Sequence, residues 1–439
     1  MHTSAGSSTP ARARTSGDPM GLPHAGPTKT ALRRPHWRQV GPGIVVAATG
    51  VGAGDMVATL IAGERFGYTL LWAALAGCVV KVALAEAVGR WHLSTGLTIL
   101  EGWTRLGRWT HVYFTPYILI WGFVYGATAM SATGLPLAAL FPAVSLQTWA
   151  MLAGVAGLLF VWFNGYAVFE TAMTVLVGLM FVTVVALAVI LVPSLPDLAW
   201  GVAPTLPPGS GFYTLGLIGG VGGTITMAAY GYWLSAKGWQ DTSWMRVMRW
   251  DNRVAYVMTG VFVIAMLIVG AELLHGSGVP LASGDRGLID LAAVLEVRFG
   301  SGVATLFLVG FFAAAFSSLL GVWHGVSLLF TDVVAHLRGQ PAGSVAERST
   351  SPAFRAYVLW LTFPPMVLLT LGRPFQLVLV YGALGALFMP FLALTLMTLL
   401  NGRHTPRDWR NRWTSNTGLA FAALLFIVIS GYELWGLVR

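Results

Sequence analysis

Residues 50–55 read Gly50-Val51-Gly52-Ala53-Gly54-Asp55, and residues 219–223 read Gly219-Gly220-Val221-Gly222-Gly223. Each stretch interrupts a segment that is otherwise apolar and long enough to cross a bilayer. Gly costs about 1 kcal/mol relative to Ala inside a helix, so clusters in two such places need a reason. Close packing between membrane helices is one reason. Unwinding at a binding site is the other, and two Gly-interrupted spans in matching positions of two halves are its sequence signature. Unwound backbone at that depth is tolerated only where protein buries it or it lines a watery cavity. The paired interruption favours two broken helices.

The rest of the chain supports a membrane setting. Of 439 residues, 56% are apolar and 10% charged, where a soluble domain carries about 25% charge. That leaves too few charges to clothe two or three soluble domains. The single cysteine, Cys78, excludes a disulfide framework and a Cys-based zinc site. Residues 1–36 lack an apolar core and read as a disordered tail rather than a signal peptide. Beyond them, segments of about 20 apolar residues recur. They fall at 38–65 (interrupted), 68–91, 111–134, 147–163, 168–193, 212–236 (interrupted), 254–274, 303–332, 354–371, 375–400 and 416–437. Eleven crossings are predicted within a transporter domain at 37–437. Spans 1–5 (about 38–193) and spans 6–10 (about 212–400) would form two repeats, with an eleventh helix at about 416–437. Span 6 begins on the opposite side from span 1, so the repeats would be inverted.

The net charge of +9 first suggests nucleic acid, but the basic residues sort by side of the membrane. With a cytoplasmic N-terminus, twenty Lys and Arg face the cytoplasm and only Arg65, Arg286, Arg298, Arg373 and Arg439 face outward. That asymmetry is a topology signal, and it removes the main support for a nucleic-acid partner. The expected location is a bacterial inner membrane, with the lipid bilayer as surroundings and the oligomeric state left open.

Several residues resemble the Nramp family of metal transporters. The run Gly41-Pro42-Gly43 is followed by the interrupted segment, then Ala58-Thr59-Leu60-Ile61-Ala62-Gly63, then Phe66-Gly67-Tyr68-Thr69-Leu70-Leu71-Trp72. Thr95-Gly96, Gly165 with Glu170, Ser317-Ser318 and Met389-Pro390-Phe391 are further points of likeness. The resemblance implies an all-α, polytopic LeuT-type fold: two inverted five-helix repeats plus an eleventh helix, with helices 1 and 6 broken. It also implies transport of divalent transition metals, usually with protons. The departures matter as much. Where the family has Asp-Pro-Gly-Asn in the first helix, this chain has Gly52-Ala53-Gly54-Asp55, so the first carboxylate is missing and an acid stands at the Asn position. Where the family has Met-Pro-His-Asn in the sixth, this chain has Met227-Ala228-Ala229-Tyr230, which keeps the thioether and loses the histidine. The acidic pair of span 3 falls near Gly126 and Ala129, and the glutamines of spans 8 and 10 become Phe316 and, approximately, Gly382. Some relatives lacking the proton relay are thought to carry Mg²⁺.

The candidate cation site comprises Asp55, Gly52, Ala53, Met227, Thr226 and Thr224. A carboxylate at membrane depth costs about 2.5–3.5 kcal/mol to insert and marks a functional site by default. Asp55 beside free carbonyls would offer oxygen ligands suited to Mg²⁺, Ca²⁺ or Mn²⁺. Its bland alternative is a cap on the outer half-helix. Met227 would add a soft donor, although most methionines only pack. Thr224 and Thr226 can supply hydroxyls or bond back to their own helix. Lys81, Glu86, Glu170 and His324 are candidates for coupling or gating. Lys81 is the awkward one: an ammonium at mid-membrane would repel a nearby divalent ion, replace a bound cation, or pair with an acid such as Asp55.

No HExxH pair and no GxxxxGK[ST] loop occurs, so neither a zinc enzyme nor an ATP-driven pump is indicated. The expectation is a non-enzymatic secondary transporter of a Mn²⁺- or Mg²⁺-class cation, using alternating access with weak or no proton coupling. No resident cofactor is expected, the metal being cargo. The competing expectation keeps the fold and moves a small carboxylate-bearing solute recognised by Lys81.

Overall fold

The computed structural model describes residues 32–191, 193–220, 222–275, 286–340, 343–370 and 374–438. Side chains of some helical positions, Asp55 and Ala53 included, lie outside the described set, as does most of the predicted tail.

Every predicted span corresponds to a helix or to a pair of half-helices. Span 1 is Pro42–Gly50 (half-helix 1a) and Ala53–Phe66 (1b). Span 6 is Gly211–Gly220 (6a), the 3₁₀ turn Ile225–Ala229, and Tyr230–Ala236 (6b). The continuous spans are Leu71–Thr95 (span 2), Arg108–Leu140 (3), Leu146–Phe163 (4), Tyr166–Ile190 (5), Met245–Leu274 (7) and Ser301–Leu337 (8). Span 9 is Pro352–Thr362 with Met366–Leu369, span 10 is Pro374–Asn401, and span 11 is Trp413–Val438. Among the described residues, seven helical stretches are by themselves long and apolar enough to cross a membrane. The half-helices of spans 1 and 6 are each too short to do so at 1.5 Å per residue.

Spans 3, 7 and 8 run well past their predicted ends, to 33, 30 and 37 residues. The start of span 7, Met245–Arg253, is rich in charge and has no apolar run to reveal it. Charged and polar side chains there are satisfied instead by partners across the bundle.

Asp251 on span 7 is one such residue. It is fully buried and accepts the Gly41 amide at 2.9 Å, the Gly43 amide at 2.6 Å and the Tyr230 hydroxyl at 3.0 Å. The first-turn amides of a helix have no partners within it, and a carboxylate there also complements the helix dipole. Half-helix 1a is thus capped by an acid from another span. A Cβ on Gly43 would lie 2.7 Å from Asp251 Oδ2, so the close approach needs glycine.

Three more networks tie the arginine-rich end together. Lys237 beyond 6b pairs with both carboxylate oxygens of Glu170 on span 5 at 2.7 Å. Arg348 pairs with Asp332 of span 8 at 2.7 Å, and Asp332 also accepts the hydroxyls of Tyr232 and Thr98. Glu86 of span 2 receives Arg90 at 3.1 Å and Arg249 at 2.9 Å.

Asp251→Ala would strand two buried amides, each costing about 1–3 kcal/mol. The expected result is a clear drop in the unfolding temperature of the purified protein in detergent, with Asp251→Asn, which keeps one acceptor, losing less. Equal stability of all three proteins would show that this contact does not hold half-helix 1a.

Candidate functional site: the meeting of two broken helices

The breaks in spans 1 and 6 touch. A Cβ on Gly50 would collide with the Gly223 backbone nitrogen, and one on Gly223 would lie 3.3 Å from Gly50 Cα. Gly222 and Gly223 have φ of +83° and +94°, a region that side chains strain to enter. The glycines therefore serve both reasons weighed from the sequence, because they permit the unwound backbone and let two such backbones meet.

Each half-helix ends here with its own polarity. Half-helix 1a finishes at Gly50 and 6a at Gly220, so both present carbonyl ends, the negative poles of their dipoles, to the break. Half-helix 1b starts at Ala53 with extended Gly52 as its cap position, which places Asp55 in its first turn. That backbone position suits an acid in either reading of Asp55, ligand or cap.

Lys81 is the feature the sequence alone leaves unplaced. It is fully buried, and its ammonium donates to the carbonyls of Gly219, at 3.1 Å, and Gly223. Those two carbonyls flank the break, so the Lys81 side chain caps the carbonyl end of half-helix 6a. Phe426 of span 11 places its ring 5.5 Å from the ammonium. The contact with unwound carbonyls lacks a sequence signal, because nothing in residues 219–223 names its partner.

At the end of half-helix 1a the arrangement differs. The Thr49 carbonyl accepts from Ser318 Oγ at 2.9 Å, and Tyr125 of span 3 reaches Ser318 Oγ at 2.7 Å. A Cβ on Gly52 would sit 2.8 Å from the same Ser318 hydroxyl. The chain Tyr125–Ser318–Thr49 has no signal in the sequence, where Ser317-Ser318 stands only as a point of likeness to the family. Met227 is fully buried in the 3₁₀ turn. Thr226 Oγ1 has no hydrogen-bond partner among the described residues and lies against the Gly223 backbone. Thr224 sits on the far side of the break, facing Gly385 of span 10. Thr49 and Ser317 bond back to Val46 and Ala314 in their own helices.

Of the four candidates for coupling or gating, only Lys81 reaches the break. Glu86 and Glu170 belong to the ion pairs at the arginine-rich end. His324 is buried, accepts Trp233 Nε1 at 3.1 Å and stacks on Phe169 with ring centres 4.3 Å apart. That bond makes Nδ1 the acceptor and leaves the proton on Nε2.

This geometry defines a class: a multi-pass membrane protein of the LeuT-type fold, built around two discontinuous helices that meet at membrane depth. The chain belongs to the family described as "Nramp: Natural resistance-associated macrophage protein-like", whose model matches residues 43–436. This is a family of transporters rather than enzymes. The chain is 27% identical over 429 residues to the "Divalent metal cation transporter MntH" of Klebsiella pneumoniae (strain 342), covering 92% of this chain and 96% of that one. It is 26% identical over 318 residues to the protein of the same name from Mycobacterium tuberculosis (strain ATCC 25618 / H37Rv), covering 69% and 72%. Its fold matches the crystal structure of a manganese transporter mutant from Eremococcus coleocola with a TM-score of 0.75 at 15% identity, over 94% of this chain and 91% of that one.

The contact between Gly50 and Gly223 leaves no room for a methyl group. Gly50→Ala should fold and reach the membrane yet lose at least tenfold in transport, while Gly178→Ala, where a Cβ meets nothing within 4 Å, should be silent. Unimpaired flux through Gly50→Ala would show that the two backbones need not approach so closely.

Proposed function

We propose that this protein carries a divalent metal cation of the Mn²⁺ or Mg²⁺ class across the membrane by alternating access, without obligatory proton coupling. The observation that carries the reading is the unequal treatment of the two carbonyl ends at the break. The end of half-helix 6a holds the resident ammonium of Lys81. The end of half-helix 1a has no such fixed cation among the described residues and lies next to the turn that bears Asp55. In broken-helix transporters, unwound carbonyls and half-helix C-termini coordinate cations. An exchangeable cation therefore belongs at 1a, with Asp55 as carboxylate donor, backbone oxygens around Gly52 and Ala53, the Thr226 hydroxyl and the Met227 thioether. The thioether is a soft donor and favours Mn²⁺ over Mg²⁺. Relatives across most of the chain bear the name of divalent metal cation transporters, which supports the same cargo.

Lys81 also accounts for the missing relay. In broken-helix transporters the carbonyl ends of half-helices coordinate cations, and in this chain two such ends meet. Here one charge is covalent and stays with the protein, so no co-transported ion has to supply it. The cation would then run down its own gradient. A membrane potential contributes about 2.3 kcal/mol per charge per 100 mV, hence about 4.6 for a divalent ion. With the N-terminus cytoplasmic in a bacterial inner membrane, that force is inward. The alternative cargo, a carboxylate-bearing solute, would need the ammonium that the Gly219 and Gly223 carbonyls hold.

Purified protein in liposomes should admit Mn²⁺ without acidifying or alkalinising the lumen, and Asp55→Ala should abolish that flux. Uptake that survives the substitution would sink the metal site. A second experiment addresses Lys81. Lys81→Met should transport at least tenfold more slowly in choline buffer and recover when Na⁺ or K⁺ is supplied, whereas the unmodified protein should be indifferent to monovalent ions. Full activity of Lys81→Met in choline would remove the resident-cation argument.

A further inference from the structure

A crevice of about 430 Å³ opens between spans 2, 7 and 11 at the arginine-rich end, away from the break. It is lined by Arg249 and Arg253, and by a buried Arg90 that is bonded to Glu86, the Trp409 carbonyl and Asn411, against a single carboxylate, Glu86. Glu86 is already shared by Arg90 and Arg249, so positive charge is in excess. Arg253 is exposed and enters no ion pair among the described residues. On the third wall, Thr414 and Ser415 lie in the first turn of span 11, where helix amides lack partners within the helix. An anion seated here would meet guanidinium groups on one side and a helix N-terminus on the other.

A second, independent feature lies inside the crevice. Asn252 is 1% exposed, donates its amide to the Val82 carbonyl at 3.0 Å, and leaves Oδ1 without a partner among the described residues. A buried acceptor left open is costly and calls for a donor. The ligand therefore has to bring hydroxyl groups as well as negative charge.

The floor of the crevice tells a free anion from a lipid. It runs along span 2 from Glu86 to Val79, seven residues or about 10 Å toward the middle of the helix, and Val79 is 69% exposed on the outer face of the bundle. A phosphate in solution has no use for an apolar trough of that length; an acyl chain does. We propose that this crevice binds the headgroup of an anionic glycerophospholipid bearing free hydroxyls, with Arg249 and Arg253 on the phosphate, Asn252 accepting from a headgroup hydroxyl, and one chain lying along Val79. Basic pockets between membrane helices recognise anionic lipid in this way. The site stands apart from the cation path, so its fate is independent of the cargo assigned above.

The full chain is purified in mild detergent, exposed to mixed micelles holding equal phosphatidylglycerol and phosphatidylcholine, and weighed intact by native mass spectrometry. Phosphatidylglycerol should stay bound in preference, and Arg253→Gln and Ser415→Asp should each reduce that retention at least tenfold. Arg338→Gln, an exposed arginine at the same end but outside the crevice, should change nothing. Equal retention of both lipids, or unchanged retention in the crevice variants, would overturn the proposal. Displacement of the lipid by excess inorganic phosphate alone would overturn the lipid as occupant and leave a soluble-anion site.

Discussion

The structure turns on the place where two unwound backbones touch, Gly50 of span 1 against Gly223 of span 6. Peptide groups in a membrane must find partners, and breaking a helix there exposes several at once. Two of those exposed carbonyls, at Gly219 and Gly223, are taken by a lysine from span 2, and Ser318 of span 8 satisfies a third at Thr49. The break is therefore a built surface whose groups are mostly accounted for. The carbonyl end of half-helix 1a, beside the turn that bears Asp55, is where the proposed cation belongs.

The remainder of the fold serves that contact. Half-helices are too short to be held by the bilayer, so their outer ends must be fastened by side chains. Asp251 holds the start of 1a and reaches 6b through Tyr230. Lys237 with Glu170, and Tyr232 with Asp332, fasten 6b to spans 5 and 8. These are polar contacts between separate helices, and each can be made or broken as a unit. Buried ion pairs contribute little net stability but are costly to break by losing one partner.

Much of the fold was legible from the chain itself. Long apolar runs located the spans. The paired glycine clusters located the breaks within a few residues. What escaped shares one physical origin. The true start of span 7 lies in a charged stretch whose partners are distant in sequence. Asp251 lies just outside the predicted span 7, and its two amide donors are more than two hundred positions away. Lys81 was conspicuous but could not be placed, since an ammonium that binds carbonyls leaves no mark on the residues that receive it. Tyr125 and Ser318 are ordinary residues for a membrane helix, and only their meeting makes them notable. The departures at residues 52–55 and 227–230 were plain in the sequence.

The central claim is that the exchangeable cation and the fixed ammonium occupy different ends of the break. Crystals soaked in Mn²⁺ and measured at its absorption edge test this most directly. The account predicts one anomalous peak at the end of half-helix 1a, within bonding distance of Asp55, with the Lys81 ammonium still on the carbonyls of Gly219 and Gly223. A peak on those carbonyls with Lys81 displaced, or no peak at the break at all, would contradict it.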